Sequence, residues 1–328
     1  MKSQTILSGI RPSGILHIGN YLGAIKQWVE LQKKYKIFAM IADLHAITTP
    51  IEPIALQEDT LSTAMFYLAC GIDPKESTIF VQSHIVEHTQ LAWILNTLTP
   101  IGELERMTQF KEKREEAGTL AGLLNYPVLQ AADVLLYQTD VVPIGDDQTQ
   151  HLEFTRTLAR KFNNRYGKTL KEPKALVEKR TGRIMALDDP TKKMSKSAAN
   201  KNSFISLLDS PDVIKKKIQS AVTDSEKEIR YAEKEKPAVS NLIAIYNAFS
   251  KLATEKIEDQ YAGKSYAEFK KDLADLLVEK LTPIQDSYNE LSKNKKEVLS
   301  VLQKGAEEAS LVAHQTLLEA KKKVGFVI

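Results

Sequence analysis

A single cysteine, Cys70, stands among 328 residues, and that scarcity excludes two things. No internal disulfide can form, and no set of cysteine thiolates can hold a metal or an iron–sulfur cluster. Long apolar runs are missing as well. Nothing approaches the roughly 18 consecutive apolar residues of a membrane-crossing helix, and the first residues carry no basic-then-apolar signal pattern. A soluble protein in a reduced, cytoplasmic setting is the expectation, with no membrane partner. An excess of one charge is also absent: 45 Lys and Arg against 42 Asp and Glu leave +3. That excludes a generally cationic DNA or RNA coat protein but leaves room for a local basic face. Internal repeats and low-complexity tracts are not found. What remains is ordinary for a globular protein, 43% hydrophobic and 27% charged, with enough chain for one large or two modest domains.

The first half alternates short β-rich runs with helical stretches. Residues 5–8, 37–42, 78–81 and 141–143 read as strands, and 18–34, 53–70, 87–97, 120–137 and 146–166 as helices. That alternation predicts parallel βαβ units in a doubly wound sheet, whose ligands collect at the carboxyl ends of the strands. Beyond about residue 200 strand-like runs fade. Helices with Lys/Glu faces are expected at 211–222, 239–252, 266–294 and 296–323, and the charged segment 223–237 reads as a surface loop. The fold class is therefore α/β, a doubly wound parallel sheet, followed by an all-helical domain.

Two short segments carry the most chemistry. The first, Arg11 to Asn20 (RPSGILHIGN), reads as a strand end, a tight turn at Gly14 and a helix start at Gly19. Gly19 would let a ligand approach the backbone, and a helix start offers unpaired N–H groups to an anion, with His17 as a further donor. The second, Lys193-Met194-Ser195-Lys196-Ser197, brings two lysines and two hydroxyls on a loop. Each alone has a plain alternative, a glycine turn with a surface histidine and a solvated lysine face. Asp133 is the third feature, a carboxylate in the apolar run Ala131-Ala132-Asp133-Val134-Leu135-Leu136. Burying it is costly without a donor, which either belongs to the protein or arrives with a substrate. Gly145-Asp146-Asp147-Gln148 opens a helix with acceptors suited to ribose hydroxyls, or is simply an acidic helix start.

Together the first two segments resemble the HIGH and KMSKS signatures of class I aminoacyl-tRNA synthetases. The run Gly102 to Lys111, the run Ala131 to Tyr137, and Val142 to Gln148 leading to His151 narrow the resemblance to the tryptophanyl-tRNA synthetase family. The resemblance implies a Rossmann-like catalytic domain over residues 1–200, a helical anticodon-binding domain over 201–290, and last helices, about 291–328, packing back on the first. It implies activation of L-tryptophan with ATP and Mg²⁺, then transfer to tRNA(Trp), in a homodimer whose interface the apolar stretch 121–136 could supply. His17, Lys113, Lys193 and Lys196 would stabilise the phosphates. Arg11, Pro12, Ser13, Gly19, Asn20, Gly145, Asp146, Asp147, Ile184, Met185, Met194, Ser195 and Ser197 would complete the ATP site. Asp133, Leu7, His45, Tyr126, Gln130 and Gln148 would hold tryptophan, Asp133 accepting from the indole N–H, with no protein metal site.

Three departures stand out. Asn20 replaces the last histidine of HIGH, Gln130 stands where methionine is frequent, and Leu7 stands where an aromatic is frequent. Gln130 keeps a tyrosyl enzyme as the alternative, beside a tRNA-independent nucleotidyltransferase that also carries HIGH.

Overall fold

The computed structural model describes residues 4–108, 110–111, 120–145, 148–176, 184–195, 198 and 200–328. Its centre is a five-stranded, all-parallel sheet in the order β3-β2-β1-β4-β5. The strands are β1 (Thr5–Ile10), β2 (Lys36–Ile41), β3 (Ser77–Val81), β4 (Val141–Pro143) and β5 (Lys174–Leu176). Four of them are the expected ones. β5 carries no apolar run, Lys174 and Ala175 are exposed, and only its pairing with β4 makes it a strand. Strand order reverses between β1 and β4, which opens a crevice at their carboxyl ends.

The helices, in chain order, begin with α1, a continuous rod of Ile18–Asn20, a π-helical turn Tyr21–Ile25 and Lys26–Leu31. Then follow α2 (Asp43–Ala46), α3 (Pro53–Ala69), α4 (Glu87–Asn96), α5 (Ile101–Glu105), α6 (Ala121–Leu136) and α7 (Thr149–Tyr166). The helical half contributes α8 (Pro211–Ser220), α9 (Pro237–Ser250), α10 (Thr254–Gln260), α11 (Tyr266–Lys293) and α12 (Lys295–Val324). The short α2, α5 and α10 were not anticipated, since four to seven residues are too few to establish a helical period.

The period-2 alternation of the strands divides the core. Ile6, Ile37, Ala39, Ile41 and Ile79 point to one face and share a cluster with α1 and α3; α11 packs on α3, and α8 and α9 pack on α11. Leu7, Phe38, Met40 and Phe80 point to the other, under α4, α6, α7 and α12. Burial on both faces is what makes β2 and β3 almost continuously apolar. One apolar cluster thus runs unbroken from the sheet into the helical half. At that junction Tyr288 lies against Phe66, ring centroids 4.5 Å apart, and shares a 2.9 Å hydrogen bond with Ser62.

The charged segment 223–237 is not a simple surface loop. Lys236 is only 1% exposed, and its ammonium donates to Asp224 (3.0 Å) and Glu226 (2.7 Å), while the Tyr266 hydroxyl donates to Asp224 at 2.6 Å. The segment folds around one buried cation. Burial works against that charge, but the carboxylates prevail and raise the Lys236 pKa.

In the apolar stretch 121–136, Ala121 and Gly122 are exposed, residues 124–126 and 129–130 are half-buried, and Leu123, Val128 and residues 131–136 are buried within the chain, so much of its apolarity serves the core.

α12 lies along β3, the edge strand, and shields it. Thr78 Oγ1 donates to Glu308 at 3.0 Å. Gly305 meets the β3 backbone so closely that a Cβ there would lie 1.8 Å from the Ile79 carbonyl oxygen. Gly305→Ala should therefore cost about 1–3 kcal/mol through forced displacement of α12, read as a lower denaturation midpoint in urea. An unchanged midpoint would mean that α12 does not seat this closely.

Candidate active site

β1 ends at Ile10, and the chain turns through Gly14, whose φ of +83° favours glycine, into α1. His17 is the N-cap of that helix and is buried, 6% exposed, so it is not a surface residue. Its Nδ1 accepts from the Gly19 N–H at 3.1 Å, and Asn20 Oδ1 accepts from the His17 N–H at 3.1 Å. This reciprocal capping explains Asn20: a short amide reaches back to the cap as Glu or Gln does in the usual box. It also fixes a proton. With Nδ1 accepting, the neutral ring carries its hydrogen on Nε2.

Gly19 is required by this geometry. A Cβ there would come within 2.9 Å of the His17 ring, so the space left by the glycine is filled by the imidazole. The expectation of open N–H groups at the helix start is not met either. Ile18 donates to Ile205 O (3.0 Å), Gly19 to His17 Nδ1, and Asn20 and Tyr21 to His17 O (2.9 and 3.1 Å). The N–H groups of residues 18–21 are thus taken up within the fold, and the helix dipole remains as the favourable term for an anion at this end.

The same crossing joins the two distant segments. Ile18 N–H to Ile205 O and Leu207 N–H to Leu16 O (2.9 Å) make residues 16–18 and 205–207 a short antiparallel pair. Just before it, residues 184–186 and 192–194 form a hairpin, with Ala186 N–H donating to Lys192 O (2.8 Å) and Met194 N–H to Ile184 O (3.1 Å). Asp189 closes the hairpin's turn by accepting from Thr191 Oγ1 (2.6 Å) and Lys192 Nζ (2.9 Å), and these bonds hold its carboxyl at about 2. Ile184 and Met194 are buried, Met194 at 2% exposure, and Met194 Cβ would lie 3.8 Å from a Cβ on Gly19. Lys193 points to solvent and Ser195 is half-buried. From the helical half, Asn241 clamps Met185 on both sides: Oδ1 accepts from Met185 N–H (2.9 Å), and Nδ2 donates to Met185 O (3.0 Å).

On the opposite face of the sheet lies Asp133, 1% exposed. Its donors belong to the protein. Oδ1 takes His88 Nδ1 (2.6 Å) and Gln82 Nε2 (2.8 Å), and Oδ2 takes His45 Nε2 (2.7 Å). His88 Nε2 in turn meets the Tyr137 hydroxyl at 2.9 Å. Asp133, in the last turn of α6, and Tyr137, the residue that caps its end, grip the same imidazole from its two nitrogens. Burial pushes the Asp133 carboxyl up, but the pull and hydrogen bonds of His45 and His88 win and hold it at about 2. Burial first, then the charge of Asp133, push the Tyr137 phenol well above its ordinary value.

Next to this cluster, the Tyr126 hydroxyl meets His151 Nε2 at 2.8 Å, and its ring meets that of His45 edge-on at 6.3 Å. Gln130 Nε2 donates to Gln148 Oε1 at 3.4 Å, so two residues expected at the amino acid's polar end do touch. Leu7 is buried in the cluster that contains Ala131 and Ala132. The run from Gly102 is tied to α7: Lys161 bridges both Glu103 oxygens at 2.8 Å, and Gln150 Oε1 accepts from the Thr108 N–H and hydroxyl. Arg11 and Ser13 are half-buried, Pro12 and Gly145 buried, and Ser13 Oγ donates to Arg11 O. Lys113, Asp146, Asp147, Lys196 and Ser197 lie outside the described residues.

Sequence reasoning missed Gln82, His88 and the use of Tyr137. Gln82 and His88 follow β3 at its carboxyl end, where a sheet of this kind collects ligands, and that position was the available signal. Among the described residues, no group of three or more His, Cys, Asp or Glu could hold a metal ion. No helix among them is long and apolar enough to cross a membrane.

Residues 1–282 match the family model described as tRNA synthetases class I (W and Y). The chain belongs to that family. A tryptophan–tRNA ligase of Caldanaerobacter subterraneus subsp. tengcongensis is 49% identical over 324 residues, 98% of each chain. The solved tryptophanyl-tRNA synthetase of Mycoplasma pneumoniae superposes with a TM-score of 0.91 at 38% identity, covering 99% of this chain and 98% of that one. That of Campylobacter jejuni, solved with ADP and tryptophan, gives 0.84 at 36% identity over 98% and 100%. Within the class I synthetase fold, the paired segments 16–18 and 205–207 join the HIGH-like helix start to the region that follows the KMSKS-like loop.

The depressed Asp133 carboxyl makes a pH prediction. Its folded value lies below the ordinary one near 4, so its contribution to stability is full above about pH 4 and is lost as pH falls toward about 2. Urea denaturation at descending pH should show this loss in the native protein and a flatter curve in Asp133→Asn. Parallel curves would mean that the carboxylate does not bear the charge.

Proposed function

We propose that the chain is a tryptophan–tRNA ligase that forms tryptophanyl-adenylate from L-tryptophan and ATP, then charges tRNA(Trp). The observation that carries this reading is the backbone pairing of 16–18 with 205–207, which brings His17 and the lysine hairpin together at the switch point of the sheet. The identity to tryptophan–tRNA ligases over the full chain supports tryptophan over tyrosine.

In the first step a carboxylate oxygen of tryptophan forms a bond to the α-phosphorus of ATP, and the Pα–O–Pβ bond breaks to release pyrophosphate. No base is needed, because the attacking carboxylate is already ionised. Such chemistry requires positioning and charge stabilisation more than covalent help. Lys193, Lys196 and Lys113 neutralise the departing pyrophosphate, and the His17 Nε2–H serves the α-phosphate. Arg11, Pro12, Ser13, Gly19 and Asn20 form one side of the ATP site. Ile184, Met185, Met194, Ser195 and Ser197 form the other, and Gly145, Asp146 and Asp147 receive the ribose. Mg²⁺ enters as Mg-ATP, coordinated by phosphate oxygens. In the second step a ribose hydroxyl of the terminal adenosine of tRNA attacks the adenylate carbonyl, and AMP leaves.

Leu7 and Asp133 line the indole pocket, with Asp133 accepting from the indole N–H, and His45, Tyr126, Gln130 and Gln148 face the rest of the amino acid. An aromatic without a donor would leave the remaining lone pair of this buried carboxylate unmet, which is a basis for rejecting phenylalanine. Residues 201–290 read the anticodon, and the working form is a cytoplasmic homodimer. Exposed apolar side chains on α4 and α12, Trp93 (71%) and Leu311 (75%), support a partner on that face.

ATP–pyrophosphate exchange assayed with each of the twenty amino acids should be driven by tryptophan alone. Exchange driven by tyrosine, or by none, would overturn the assignment. In the same assay Lys196→Ala should slow exchange by roughly 10- to 1,000-fold, and an unchanged rate would remove the loop from the chemistry.

A further inference from the structure

We propose that His88, its ring held by Tyr137, positions the Asp133 carboxylate so that Oδ2 is the oxygen facing the indole N–H, making His88 a specificity-determining positioning residue. This rests on the tryptophan reading above and adds to it the device that aims the acceptor.

A carboxylate offers about four lone-pair sites, two on each oxygen. Oδ1 takes two donors, His88 Nδ1 at 2.6 Å and Gln82 Nε2 at 2.8 Å, and both side chains are fully buried. Oδ2 takes one, His45 Nε2 at 2.7 Å, from a side chain that is 15% exposed. The remaining lone pair is therefore on Oδ2, on the side where the cluster reaches the surface. Tyr137 completes the device. Its hydroxyl meets His88 Nε2 at 2.9 Å and holds the ring from the far side, while the N–H on Nδ1 faces the Asp133 carboxylate.

A purely structural role fits poorly. A buried ionic cluster can be replaced by apolar residues of like size at no loss of stability. Here the cluster even tolerates a deficit: Gln82 is fully buried, and among the described residues nothing donates to its Oε1. An unmet buried acceptor costs about 1–3 kcal/mol, and methionine at this position would avoid it. The amide is accounted for by the N–H that it gives to Asp133.

The test compares L-tryptophan with its analogue carrying sulfur in place of the indole N–H, as kcat/KM in ATP–pyrophosphate exchange. Tryptophan-driven exchange by the native protein establishes the underlying reading; its absence would overturn that reading, and with it this inference. Given that activity, His88→Ala should reduce the preference for tryptophan over the sulfur analogue by about tenfold or more, with the KM for ATP unchanged. His88→Asn, whose amide nitrogen takes the place of Nδ1, should restore most of the preference, and Tyr137→Phe should reduce it several-fold. Should His88→Ala fail to fold, Gln82→Met removes the other donor to Oδ1 and should also lower the preference. A preference left intact in the folded variant, with both amino acids weakened alike, would overturn the inference.

Discussion

Two backbone hydrogen bonds between 16–18 and 205–207 are the constraint on which the start of α1 depends. They occupy the first N–H of α1 and seat the buried Met194 beside Gly19. A helix start that would otherwise hold unpaired donors is consumed by the fold. The clamp of Asn241 on Met185 extends the same constraint into the helical half, so the hairpin that carries Lys193 is tied both to the sheet and to α9.

The opposite face of the sheet follows a different rule. There a negative charge, Asp133, is buried and met by three donors. Asp133, His45, His88, Gln82 and Tyr137 come from four elements or turns, yet all converge at the carboxyl ends of β2 and β3 or on α6. The parallel sheet makes this convergence possible, because each strand delivers the residues that follow it to the same rim.

Much of this was legible in the sequence. Alternating apolar runs located four of the five strands, and the long helices followed from their period. β5 was not legible, because three residues without an apolar run become a strand only through their neighbour. In the site, His17, Asp133 and the lysine loop could be marked because glycine, an isolated carboxylate and a narrow lysine–serine pattern are unusual in their settings. The partners of Asp133 were not legible, because His88 and Gln82 are separated from it by 45 and 51 residues and only the fold brings them together. The packing around Gly19 was not legible for a related reason: no periodicity reveals that a neighbouring imidazole folds back over the backbone. Lys236 shows the same limit, since a lysine in a charged run gives no sign of being buried.

The seating of α12 on β3 bears on how the chain folds. The Thr78–Glu308 bond closes a loop of 230 residues, among the longest-range contacts in the molecule. During synthesis β3 is made long before the helix that shields its edge, so a strand with free backbone donors and acceptors waits uncovered. Completion of α12 ends that exposure, and the cramped fit at Gly305 makes this a close docking of backbone on backbone. The covering of this edge is thus settled by the last long helix of the described residues.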